Sequence, residues 1–104
     1  MNLDRLAKMY YENAKRIVKE IKENIHHGKV TYNDYKLLRT ASYLVSLGVE
    51  GIKQELIKLA KSCSGCVACK HSIPCPQNPC DLTCRYCELG LSQNKCNKFE
   101  PLIS

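Results

Sequence analysis

Tryptophan is absent from this chain, phenylalanine occurs once and methionine twice. The apolar mass must therefore come from aliphatic side chains and six tyrosines. No apolar run approaches the roughly 20 residues that a membrane-spanning helix needs. The opening stretch, MNLDRLAKMYYENAKR, lacks the basic segment, apolar run and small-residue cleavage site of a secretory signal. A cytoplasmic, reduced chain with no membrane partner is expected. Also missing are a Gly-rich phosphate loop, an HExxH pair and any Ser/His/Asp or Cys/His grouping of catalytic type. An enzyme is not the expectation, no catalytic residue is assigned, and no small-molecule substrate is evident.

Cysteine is missing from the first 62 residues, and all eight cysteines fall between Cys63 and Cys96. That stretch has few large apolar side chains: Val67, Ile73, Leu82, Leu89 and Leu91, with Tyr86 as its one aromatic. It cannot bury enough surface to fold alone, so something must cross-link it. In a reducing compartment clustered CxxC pairs are metal ligands more often than disulfides. Zinc ranks first, iron-sulfur clusters second and disulfides third.

The region before the cysteines has helical patterning. From Leu3 to about Ile25 the residues Leu3, Leu6, Ala7, Tyr10, Ala14, Ile17, Val18, Ile21 and Ile25 recur at three- and four-residue steps. They fill an arc of roughly 120°, as in a core-facing amphipathic helix. Asp4 suits the start and Gly28 the stop. A second helix is predicted after Val30, with Thr31 as N-cap and Asp34 in its first turn. Its face is read from Tyr35, Leu38, Ser42 and Val45, widened by Leu37, Ala41, Leu44 and Tyr43, and Gly48 ends it. A third helix then carries Val49, Ile52, Leu56, Leu59 and Ala60, either sharply angled to the second or continuous with it across a kink. The fold class expected is mainly α: a three-helix bundle over residues 1–62, with a small, irregular, cysteine-rich metal-binding region over 63–104 docked on it. The tail is expected to fold Phe99 and Leu102 over that region as a lid.

The formal charge is +6, but metal-bound cysteines are thiolates. Four of them around one Zn²⁺ or one [4Fe-4S]²⁺ carry a net charge of minus two, so two sites leave about +2. Residues 1–62 hold twelve Lys and Arg against seven Asp and Glu, whereas 63–104 hold four against three. The basic surface therefore belongs to the helices. Lys8, Lys15, Lys19 and Lys22 fall within about 60° of one another on the first helix, a stripe suited to tracking phosphates as well as to ordinary solvation. Pairs four apart, Lys8 with Glu12, Arg16 with Glu20 and Lys19 with Glu23, favour that helix. Five tyrosines, Tyr10, Tyr11, Tyr32, Tyr35 and Tyr43, are read as core and boundary residues, not as a base-stacking platform. His26 and His27 suit the helix end.

The spacing C-x2-C-x2-C-x5-C-x4-C-x3-C-x2-C-x8-C allows two divisions with a physical rationale. In one, Cys63 and Cys66 join Cys84 and Cys87 around a zinc ion, the zinc-ribbon spacing. Cys69, Cys75, Cys80 and Cys96 then form a second site, with His71 as a substitute ligand. In the other, Cys63, Cys66, Cys69 and Cys75 form one site and Cys80, Cys84, Cys87 and Cys96 the next. The first of these groups resembles the bacterial ferredoxin motif, including the proline after its last cysteine, Cys75-Pro76, but has five residues instead of three before that cysteine. The run CDLTCRYC, Cys80 to Cys87, is similar to the C-x3-C-x2-C signature of radical SAM enzymes, with Tyr86 before the third cysteine. That likeness covers eight residues and implies a [4Fe-4S] cluster only. The seventeen residues after Cys87 leave no room for that family's barrel, and Cys96 can fill the open iron position.

The functional expectation is a small, non-enzymatic module holding two zinc ions and binding nucleic acid or another protein. The alternative is an iron-sulfur protein that carries electrons or serves a larger enzyme.

Overall fold

The computed structural model describes residues 2–62, 69, 71–90 and 100–102. The first helix, α1, spans Leu3–His26 and starts where expected; its cap is Asn2, whose side chain accepts a hydrogen bond from the Arg5 amide at 2.8 Å. That contact satisfies one of the orphan N–H groups of the first turn, and Asp4 adds a favourable charge there. The chain leaves α1 through Gly28 at φ +71°. Thr31 then caps α2, which spans Tyr32–Ser62. Its hydroxyl accepts from the Asp34 amide at 3.2 Å while Asp34 accepts from the Thr31 amide at 3.1 Å, a reciprocal box that closes two donors at once.

Two helices and a small two-stranded sheet replace the expected three-helix bundle, although the protein remains mainly α. The difference lies at Gly48. It is the residue expected to stop the second helix, and it alone inside α2 departs from helical dihedrals, at φ 72° and ψ 176°. Helical geometry resumes at the next residue, so no connecting segment exists in which a third helix could be set apart. Glycine absorbs the kink because no other residue adopts that backbone region without strain.

The core is the seam between α1 and α2. Leu6, Ala7, Tyr10, Ala14, Ile17 and Ile21 of α1 meet Ala41 and Leu44 before the kink and Ile52 and Leu56 after it. The α1 face is the one its periodicity predicts. On α2 the buried face is turned away from the expected one: Leu37, Leu38 and Val45 pack at its margin, but Tyr35 and Tyr43 are 54 % and 55 % exposed and Ser42 is exposed too. Tyr32, at 73 %, stands further out still.

An ion pair ties the start of α1 to the second half of α2, with Lys53 Nζ 2.6 Å from Asp4 Oδ1. The hydrogen bond and charge of Lys53 hold the Asp4 carboxyl below its ordinary value of 3.8. Among the described residues, Arg16 and Glu20 form their expected pair, at 4.0 Å; Lys8–Glu12 and Lys19–Glu23 do not pair. No helix among the described residues is long and apolar enough to cross a membrane.

The cysteine region is not wholly irregular. Strands β1, Ser72–Pro74, and β2, Arg85–Cys87, pair antiparallel with Ser72 opposite Cys87, Ile73 opposite Tyr86 and Pro74 opposite Arg85. Strand alternation divides the ribbon into two faces. Ser72, Pro74, Arg85 and Cys87 are buried, while Ile73 and Tyr86 lie on the open face. Cys69 forms an isolated bridge with Pro101. Leu102 packs against the helical core, and Phe99, its partner in the expected lid, lies outside the described residues.

Two outcomes follow. Gly48→Ala is expected to cost about 1–3 kcal/mol in denaturant unfolding, all of it backbone strain, because a Cβ at that position meets no atom within 4 Å. Asp4→Asn is expected to flatten the acid limb of the stability curve. The folded-state pKa of Asp4 is depressed, so its contribution is present above the unfolded value of 3.8 and disappears as pH falls through the folded value. Unfolding midpoints measured from neutral pH down to acid check this.

Candidate metal centre

The seat of the cysteine region on the helices is made by the segment from Pro79 to Asp81. Cys80 is 2 % exposed and belongs to the α1–α2 core. On either side of it, α1 holds the loop backbone: the Tyr10 hydroxyl donates to the Asp81 carbonyl at 3.0 Å, and the Asn13 amide donates to the Pro79 carbonyl at 3.2 Å. Burial pushes the Tyr10 phenol well above its ordinary range, so it stays a neutral donor. Burial likewise raises the Cys80 thiol, opposed by the charge of Arg16. A protonated thiol in such surroundings packs as a small hydrophobe.

Beyond the strands the ribbon continues for one more pair. The Cys75 amide donates to the Cys84 carbonyl at 3.1 Å, so these two cysteines face each other next to Pro74 and Arg85. By alternation they share the open face with Ile73 and Tyr86. The neighbouring Cys84 thiol, followed by burial and the charges of Cys84 and Asp81, pushes the Cys75 thiol up to about 11. Donors are also turned toward sulfur elsewhere. The Asn78 amide nitrogen lies 3.6 Å from Cys84 Sγ, and the His71 backbone N–H points at Cys69 Sγ at 3.5 Å. Hydrogen bonds of this kind orient and tune sulfur ligands in metal sites.

Neither division of the cysteines puts Cys75 and Cys84 in the same site, yet these are the two that the ribbon brings together. The same alternation separates Cys84 from Cys87, which lies on the buried face. A CxxC turn presents two sulfurs to one ion, whereas an extended segment sends residues three apart to opposite faces. Cys80, Cys84 and Cys87 consequently occupy the helical core, the open face and the buried face, and do not gather as the C-x3-C-x2-C resemblance implies. Among the described residues no group of three or more His, Cys, Asp or Glu side chains could hold a metal ion. Cys63, Cys66 and Cys96 lie outside the described residues.

His71, the possible substitute ligand, stands between two carboxylates instead: Nδ1 is 4.0 Å from Glu88 Oε1 and Nε2 is 3.5 Å from Glu100 Oε1. His26 and His27 sit at the end of α1, their rings edge to face at 5.5 Å. On α1, Lys8, Lys15, Lys19 and Lys22 are all exposed, and among the described residues none of them is in an ion pair. Lys15 lies over the Tyr11 ring, 5.2 Å from its centre.

No protein-family model matches the chain, and no curated protein and no solved structure matches it.

The placement of Cys80 gives a direct test. Cys80→Val keeps an apolar side chain of similar size in the core and is expected to cost less than about 1.5 kcal/mol, with the metal-to-protein ratio unchanged. Cys80→Asp buries a carboxyl among Leu6, Tyr10 and Leu44 and is expected to unseat the loop. Unfolding curves and metal analysis of both variants check this; loss of metal in Cys80→Val would make Cys80 a ligand.

Proposed function

We propose that this protein is a non-enzymatic nucleic-acid-binding module whose cysteine region is cross-linked by thiolate-bound zinc. One site contains Cys75 and Cys84 and is completed by cysteines from among Cys63, Cys66 and Cys96. The observation that carries this reading is the opposition of Cys75 and Cys84 across the ribbon, on its open face, with an amide donor turned toward Cys84. A four-sulfur zinc site is closed and has no position for water, so its work is structural. It fixes a ribbon whose three-residue strands could not hold themselves together. A second four-cysteine ion would need Cys80 as its eighth ligand, which its burial in the helical core disfavours.

Nucleic acid is the partner the charge distribution favours. Metal binding moves the cysteine region toward negative charge, while the helices keep their excess of Lys and Arg. Lys8, Lys15, Lys19 and Lys22 stand exposed along one side of α1. They can replace counterions on a phosphate backbone, an entropic gain that falls as salt rises.

Elemental analysis of protein purified without oxygen tests the metal claim. Zinc is expected at one equivalent per chain or more, in a colourless solution. Cys75→Ser and Cys84→Ser are each expected to lose the same single equivalent, and the double variant no more than either. Iron with acid-labile sulfide would replace zinc by a cluster and favour an electron-carrying role. Absence of both metals, with all thiols oxidised, would replace the metal by disulfides and overturn the reading.

A further inference from the structure

The first half of α2 presents a face that the helix pair does not use. Tyr32, Lys36, Arg39 and Tyr43 lie within about 60° of one another on the helical wheel, nearly opposite Ala41. All four are exposed, and Lys36 Nζ stands 4.6 Å over the centre of the Tyr32 ring. Tyr35 borders the same face. Scattered exposed apolar side chains are ordinary, but three tyrosines interleaved with two cations on one side of a short helical stretch form a patch of defined chemistry. From Lys29 to Leu47 the cations are Lys29, Lys36 and Arg39, and the one acid, Asp34, is engaged in the cap of α2.

Beside this face runs a groove of about 750 Å³ between α2 and the loop that follows β1. Lys36, Tyr43 and the exposed Asn33 and Thr40 line it on the α2 side, Gln77 and Asp81 line it on the loop side, and its most buried lining residues are Leu44 and Cys80. Among the described residues the side-chain amides of Asn33 and Gln77 have no hydrogen-bond partner within the protein. One Asp81 oxygen accepts from Thr83, at 2.6 Å from its hydroxyl and 2.9 Å from its amide.

We propose that this face and groove bind single-stranded nucleic acid, with phosphates along Lys36 and Arg39, bases stacked on Tyr43 and Tyr32, and a base edge turned into the groove toward Asn33, Gln77 and Asp81. The proposal rests on the nucleic-acid reading above and gives that reading a second surface, on α2. Three features select a single strand over a duplex. Stacking on tyrosine requires an unpaired base face. The amides and carboxylate in the groove match the donors and acceptors of base edges, whereas a phosphate would be repelled by Asp81. Charge is divided accordingly, with Lys36 at the edge of the groove and Arg39 on the outer helix face, and Asp81 on the loop side of the groove. The lysine stripe of α1, by contrast, has one ring beside it, Tyr11 under Lys15, and suits phosphates of either form.

The test uses the full chain with its metal as purified. Fluorescein-labelled oligothymidylate and oligouridylate of about fifteen nucleotides, and a duplex of equal length, are titrated at salt concentrations from about 50 to 200 mM. Because the chain has no tryptophan, quenching of tyrosine emission reports stacking directly. The single strands are expected to bind more tightly than the duplex and to quench the emission. Tyr43→Leu is expected to weaken binding about tenfold, and Tyr43→Phe to restore it, since the ring and not the hydroxyl does the stacking. Lys36→Ala with Arg39→Ala is expected to lower the slope of log affinity on log salt by about 0.7 for each phosphate no longer neutralised. Circular dichroism confirms that these surface variants keep their helices. Binding that Tyr43→Leu and Tyr32→Leu leave unchanged, and that falls only when Lys15, Lys19 and Lys22 become Ala, would overturn this inference while leaving the nucleic-acid reading in place. No binding to any of the three probes would overturn both.

Discussion

Everything beyond the two helices depends on the seat of one short loop. The cysteine region has too few apolar side chains to make a core, so it borrows one, inserting Cys80 into the seam between α1 and α2. Tyr10 and Asn13 of α1 then hold the carbonyls on either side of that insertion. With the loop fixed, the ribbon strands that precede and follow it are brought into register. That register in turn sets Cys75 opposite Cys84 and sends Cys87 inward. The loop also forms the far wall of the groove beside α2. One anchoring contact therefore positions both the sulfur pair and the surface proposed for nucleic acid.

The helices are legible in the sequence because periodicity is a repeated signal. Six of the nine residues assigned to the inner face of α1 are buried, and the cap box at Thr31 and Asp34 forms as the spacing suggests. Gly48 does break the helix, as expected, but it does not divide it into two. A single residue at positive φ bends the backbone without creating a loop, and sequence does not separate those outcomes. On α2 the difference is one of rotation. Apolar and aromatic residues surround much of its first half, so tyrosine can be counted as core, and only the packing against α1 decides that Ala41 and Leu44 face inward. The exposed set of Tyr32, Lys36, Arg39 and Tyr43 has helical spacing, a signal present in the sequence that is read once Tyr35 and Tyr43 are no longer assigned to the core.

The cysteines are legible as a group and not as partners. Spacing arguments assume that CxxC pairs turn back on themselves, and that assumption fails where the segment is extended: the three-residue strand Arg85–Cys87 is too short to announce itself, and its buried face carries an arginine. Nor does sequence distinguish a cysteine that binds metal from one that packs as a small apolar side chain. Cys80 stands among leucines, isoleucines and Tyr10, and nothing in its spacing from Cys75 or Cys84 sets it apart.

The central claim is that sulfur from both strands of the ribbon meets at one metal ion. X-ray absorption at the metal edge tests it most directly, on the purified chain and on Cys75→Ser. The account predicts zinc with a shell of four sulfurs at about 2.3 Å, one of which is replaced by a lighter scatterer, or lost with the metal, in the variant. A first shell of oxygen and nitrogen alone, or a four-sulfur shell that Cys75→Ser leaves untouched, would contradict it.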